Sequence, residues 1–141
     1  MSIMGKYIFI VEDDLQNRVV FQMALTRKGA FVDFDRWGKD AIYRLQQLPR
    51  LDLIVLDLML PHGISGFDIF DEIRVLPSCA DVPVVAVSAM ESSIAVPKAQ
   101  AMGFSGFIAK PIDSRLFPEQ LAKIMSGEQV WYTNEMRFNG I

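Results

Sequence analysis

Four continuous apolar runs, each stopped by a polar group, constrain this chain most. They are Ile8-Phe9-Ile10-Val11 before Glu12-Asp13-Asp14, Leu53-Ile54-Val55-Leu56 before Asp57, Val84-Val85-Ala86-Val87 before Ser88-Ala89, and Phe107-Ile108-Ala109 before Lys110-Pro111. Runs apolar at every position are the pattern of strands buried on both faces, as in a parallel sheet covered by helices. A charge left unpaired inside such a sheet is very costly, so each polar group belongs at the end of its strand.

Amphipathic stretches alternate with these runs. The first predicted strand is Tyr7–Val11, and a helix follows from about 16 to 28, with Asp14 as a cap and Gly29 as its stop. A second strand covers about 32–34. The next helix starts near Lys39, carries Ala41, Ile42, Leu45 and Leu48 at helical spacing, and ends at Pro49. A helix over about 67–75 follows the Asp57 strand, and a weaker one lies between Ser92 and Met102. The last helix reaches Met125, with Phe117, Leu121, Ile124 and Met125 facing inward. Five strand-helix units imply an α/β fold, a doubly wound five-stranded parallel sheet with helices on both faces. Ligands of such sheets bind beyond the carboxyl ends of the strands, where all four polar groups fall.

A length of 141 residues, half of them apolar, suits one domain. The expected division is a body over 1–126 and a short extension over 127–141 that contains Trp131, Tyr132 and Phe138. The net charge of −3 and the lack of a Lys/Arg run argue against direct nucleic-acid binding. The lone Cys79 fits a reducing compartment, and no apolar stretch has the length of a signal peptide or a membrane span. A cytoplasmic protein is expected.

The polar set has the chemistry of phosphoryl transfer. Clustered carboxylates repel one another, and Mg²⁺ relieves this by taking carboxylate, carbonyl, water and phosphate oxygens. Asp13 and Asp57 supply carboxylates, Glu12 acts one shell out through water, and the Met59 carbonyl is a further candidate ligand. A carboxylate can itself become an acyl-phosphate, which gives Asp57 the nucleophile's role. Lys110 and the Ser88 hydroxyl, with the Ala89 N–H beside it, face the other phosphoryl oxygens. Singly, these features are helix starts and turns; in order on four strands they are specific.

The segments Ile10-Val11-Glu12-Asp13-Asp14 with Asn17, Leu56-Asp57-Leu58-Met59-Leu60-Pro61, Val87-Ser88-Ala89 and Ala109-Lys110-Pro111 resemble those of the receiver domain of two-component response regulators, over about 6–125. The resemblance implies a flavodoxin-like sheet of order 2-1-3-4-5. It makes Asp57 the acceptor of a phosphoryl group from a histidine kinase or phosphotransfer protein, and Glu12 and Asp13 the pair that serves Mg²⁺. Ser88 and Phe107 become a hydroxyl-aromatic switch whose output surface is helix 4, strand 5 and helix 5. The chain would then be no enzyme beyond its own phosphorylation and hydrolysis. It would act on a downstream protein, with a homodimer left open. Two further readings are a receiver cut from a longer transcriptional regulator and a receiver-like binding module that uses no phosphate. A metal-dependent phosphatase is rejected, because Met59 stands where such enzymes carry a second acid.

The chain departs from the family in several places. The loop Pro61-His62-Gly63-Ile64-Ser65-Gly66 is one residue longer, and His62, the only histidine, is read as a solvent-facing recognition residue rather than a phosphate carrier. Pro97 predicts a fourth helix that is shortened, kinked or begins late, and Pro118 a disturbed start to the fifth. Met59 and Met90 occupy the positions that tune acyl-phosphate lifetime. Neither can orient a water, so slow hydrolysis is expected.

Overall fold

A computed structural model of the chain describes residues 2–133. Strands β1 (Tyr7–Val11), β2 (Phe31–Asp35), β3 (Leu53–Leu56), β4 (Val84–Ser88), β5 (Gly106–Ala109) and β6 (Val130–Tyr132) form one sheet, ordered β2-β1-β3-β4-β5-β6. Every pairing is parallel. The connecting helices are α1 (Leu15–Thr26), α2 (Ala41–Gln47), α3 (Gly66–Arg74), α4 (Ser92–Met102) and α5 (Phe117–Met125). The flavodoxin-like order expected from the sequence is present, with one strand added beyond β5.

Alternate strand residues feed two cores. Phe9, Val11, Ile54, Leu56, Ala86 and Phe107 pack with Leu45 of α2, Phe70 of α3 and Ala95 and Ala99 of α4. Ile8, Ile10, Val55, Val85, Val87 and Ile108 pack with Phe21 and Leu25 of α1 and Leu121 and Ile124 of α5. Each such aliphatic or aromatic side chain contributes about 1.5–3 kcal/mol when fully buried. Both faces are therefore covered, which is why the runs carry no polar alternation and why polar groups emerge only at strand ends.

Pro97 neither shortens the fourth helix nor delays its start. Helix α4 runs from Ser92 to Met102 with Pro97 inside it. The carbonyl that loses its partner is that of Ser93, and both residues are exposed, so that carbonyl is open to water. Pro118 does not disturb α5: it lies in the first turn, where helix N–H groups have no intrahelical partner.

The sheet carries one short strand beyond the expected five. Residues 130–132 of the expected extension pair with β5, in the register Gly106↔Val130, Phe107↔Trp131 and Ile108↔Tyr132. Gly106 permits this approach, since a Cβ there would lie 2.3 Å from the Val130 carbonyl oxygen. A three-residue strand with no polar alternation carries too little periodicity to be read from sequence. Phe138 lies outside the described residues.

Candidate functional site

The sheet delivers the polar groups to one end. Strands β1 and β3 are neighbours, so Glu12-Asp13 and Asp57 leave the sheet side by side, and the Asp57 N–H donates to the Val11 carbonyl at 3.1 Å. β4 and β5 follow on the other side of β3, and the Lys110 N–H donates to the Ser88 carbonyl at 3.0 Å. The acidic triplet divides its work. Asp14 caps α1, accepting from the Asn17 N–H at 3.0 Å, while Glu12 and Asp13 turn to Asp57.

Carboxylate oxygens of Glu12, Asp13 and Asp57 lie within 4.8 Å of one another. Lys110 Nζ sits 2.9 Å from Asp57 Oδ2 and 2.6 Å from Glu12 Oε1. Glu12 and Asp57 are almost fully buried, at 1% and 5% exposed, and Asp13 is half-buried. Burial pushes the Glu12 carboxyl above its usual range, outweighing the pull of Lys110. Burial alone would lower the Lys110 ammonium, but the charges of Asp57 and Glu12, with the hydrogen bond to Asp57, hold it above its ordinary value.

These groups fit a hard divalent cation. Three carboxylates against one ammonium leave two negative charges over. Glu12 Oε1 is buried and, although paired in charge with Lys110, takes no well-directed hydrogen bond. All the side-chain donors are oxygens, the set that Mg²⁺ takes.

Of the remaining expected residues, Met59 touches the acceptor directly. The Met59 N–H donates to Asp57 Oδ1 at 3.2 Å, and its side chain is 49% exposed. Met59 pairs with Ser65 in an isolated bridge whose hydrogen bonds are made by Leu58 and Leu60, so that small ladder does not use its main-chain groups. Ser88 is fully buried, with Oγ accepting from the Met90 N–H at 3.2 Å, and Ala89 is exposed at the rim. Phe107 is fully buried in the core between the sheet and α4. His62 is exposed on the Pro61–Gly63 turn and meets Trp37 edge-on at 6.4 Å between ring centres; it is no member of the acid cluster.

Sequence reasoning missed two contributors. Lys110 bridges to Glu12 as well as to Asp57, a contact that strand order allows but no motif announces. Gly66 opens α3 against the main chain of the acceptor, and a Cβ there would lie 2.2 Å from the Asp57 carbonyl oxygen. Ser65, which accepts from the Phe67 N–H at 3.1 Å as an N-cap, was the available signal.

Comparison with known proteins agrees with this geometry. The response regulator receiver domain profile matches residues 8–122. The chain is 28% identical to the transcriptional regulatory protein AfsQ1 of Streptomyces coelicolor, over 95% of this chain and 57% of that one. It is 31% identical to the phosphate regulon regulatory protein PhoB of Rhizobium meliloti, over 83% of this chain and 49% of that one. It thus spans about half the length of these curated relatives. The chemotaxis response regulator CheY4 of Vibrio cholerae shares its fold, with a TM-score of 0.77 at 21% identity, over 84% of this chain and 98% of that one. A profile match across most of the chain, on a sheet of the expected order, places this protein in the response regulator receiver domain family.

Proposed function

We propose that the chain is a phospho-acceptor switch in which Asp57 takes a phosphoryl group from the phosphohistidine of a histidine kinase or phosphotransfer protein. The observation that carries this reading is the Lys110 ammonium bridging Asp57 and Glu12 beside Asp13. An Asp57 carboxylate oxygen attacks phosphorus, the P–N bond of the donor breaks, and its electron pair stays on the imidazole. Lys110 meets the charge on the transferred oxygens, and little covalent work is asked of the protein beyond positioning. Asp13 and Asp57, with Glu12 one shell out through water and the Met59 carbonyl as a further candidate, would hold Mg²⁺, which when bound would help neutralise the phosphoryl oxygens. Hydrolysis reverses the state: water attacks phosphorus and the Asp57 carboxylate leaves.

The signal begins at Ser88. Its hydroxyl leaves the Met90 N–H to donate to a phosphoryl oxygen, beside the Ala89 N–H, and the buried Phe107 ring repacks in response. The outcome is a population shift on the α4, β5 and α5 side, read by a downstream protein. The protein turns over no separate substrate and works in the cytoplasm. Among the described residues no helix is long and apolar enough to cross a membrane, which is compatible with that location. The length of the relatives favours a second reading, in which this receiver serves a longer transcriptional regulator.

Intact mass after treatment with acetyl phosphate and Mg²⁺ tests the proposal. One added phosphoryl group is expected on the protein and none on Asp57→Asn. Equal gain on both would remove Asp57 from the acceptor's role.

A further inference from the structure

Helix α1 is apolar on both its faces. Phe21 and Leu25 point into the core beneath it. Leu15, Val19, Val20 and Met23 face outward, from 42% to 65% exposed. Leu15, Val19 and Met23 recur every fourth residue and so form one ridge along the helix. The other exposed residues of α1 are Gln16, Gln22 and Thr26, so its outer face carries no charge. Arg18, the one charged residue within the helix, is half-buried. Surface helices ordinarily turn charged and polar residues to solvent, and a contiguous exposed apolar patch marks a contact surface.

Charge returns at the two ends. Asp14, exposed, precedes the helix, and Arg27 and Lys28, both exposed, follow it. Neither cation has an acidic partner among the described residues. Each sign suits the helix dipole at its own end, but the dipole gives no reason for the uncharged ridge between them. The face is negative at one end, apolar along its length and positive at the other, which makes it complementary to its own reverse.

We propose that a second copy of this chain covers α1, its own α1 running antiparallel across a two-fold axis at Val19. Val19 then meets the partner's Val19, Leu15 meets the partner's Met23, and Asp14 faces the partner's Arg27 and Lys28. Two ridges of this kind pack with their axes inclined by about 50°. The groove beside the ridge, with Val20, Met23 and Ala24 on one side and Ser114 and Arg115 on the other, receives the partner's flanking side chains. Burial of the ridge supplies the driving force, while the exposed end pairs add little energy and set direction. One helix face is smaller than the roughly 800 Å² per partner of a standard interface, so the dimer is weak, with a dissociation constant on the order of 100 µM.

Sedimentation velocity of the full chain from about 10 to about 500 µM tests this, and the mass should climb toward twice that of one chain. Val19→Glu, checked for folding by circular dichroism, sets two carboxylates against each other at the axis and should weaken association about 10-fold or more. In oxidised glutathione Val19→Cys should cross-link to itself. Leu15→Cys should cross-link to Met23→Cys in a mixture and not to itself. Cys79 is buried and stays out of the reaction. A one-chain mass across the whole range would overturn the proposal. So would a dimer that Val19→Glu leaves intact, or one that cross-links Leu15→Cys to itself rather than to Met23→Cys.

Discussion

Lys110 holds the site together, because among the described residues it is the cation paired with both Glu12 and Asp57. Lys110→Met should slow phosphorylation by acetyl phosphate about 100-fold, the cost of losing one preorganised charge-stabilising donor. Stopped-flow or mass-resolved time courses would read this, and a rate within a few-fold of the parent would deny Lys110 its part. Glu12 gives a pH test. Its folded-state pKa is raised, so with chelator present the folded state holds a proton that the unfolded state has already lost. Stability then falls as pH rises from the ordinary glutamate range to the raised value, and Glu12→Gln should flatten that slope in urea titrations. Lys110, also raised, contributes stability that is lost only as pH climbs above the ordinary lysine range, outside the window of Glu12. Met59 stands exposed beside the acceptor with nothing to direct a water. Met59→Asn should shorten the life of the phosphorylated state several-fold, on the scale of one hydrogen bond to a charged species. Loss of phosphate that is already rapid and unmoved by the substitution would count against this.

At the level of elements, the strands and their chemistry were legible because a doubly buried strand must be apolar throughout and can carry polar groups only at its end. Asp57, Ser88 and Lys110 each stand one step from, or at, such an end. Proline was misread because the rule against it in helices concerns a lost hydrogen bond, and the cost depends on whether water reaches the orphaned carbonyl. Position 97 is exposed, which the sequence does not show. Pro97→Ala should therefore stabilise the fold by about 1–3 kcal/mol, the helix-interior penalty less the flexibility regained by the unfolded chain. Chemical denaturation would read the gain, and no change would mean that α4 already absorbs the defect. Gly66 and Gly106 were illegible for a related reason. Each is required by a backbone that approaches from elsewhere in the fold, the Asp57 carbonyl in one case and that of Val130 in the other.

For the whole molecule, strand order is what turns separate motifs into a site. β1, β3, β4 and β5 lie next to one another in the sheet, so acids, acceptor, hydroxyl and lysine emerge in sequence at the same end of the sheet. Sequence supplied the residues and the family; the geometry supplied the double grip of Lys110 and the sixth strand. The most direct measurement is borohydride reduction of the phosphorylated protein followed by peptide mass spectrometry. Borohydride converts an acyl-phosphate of aspartate to homoserine and so marks the acceptor. The account predicts homoserine at position 57 and at no other aspartate. Homoserine at position 13 instead, or phosphate carried on His62 with Asp57 unmodified, would contradict it.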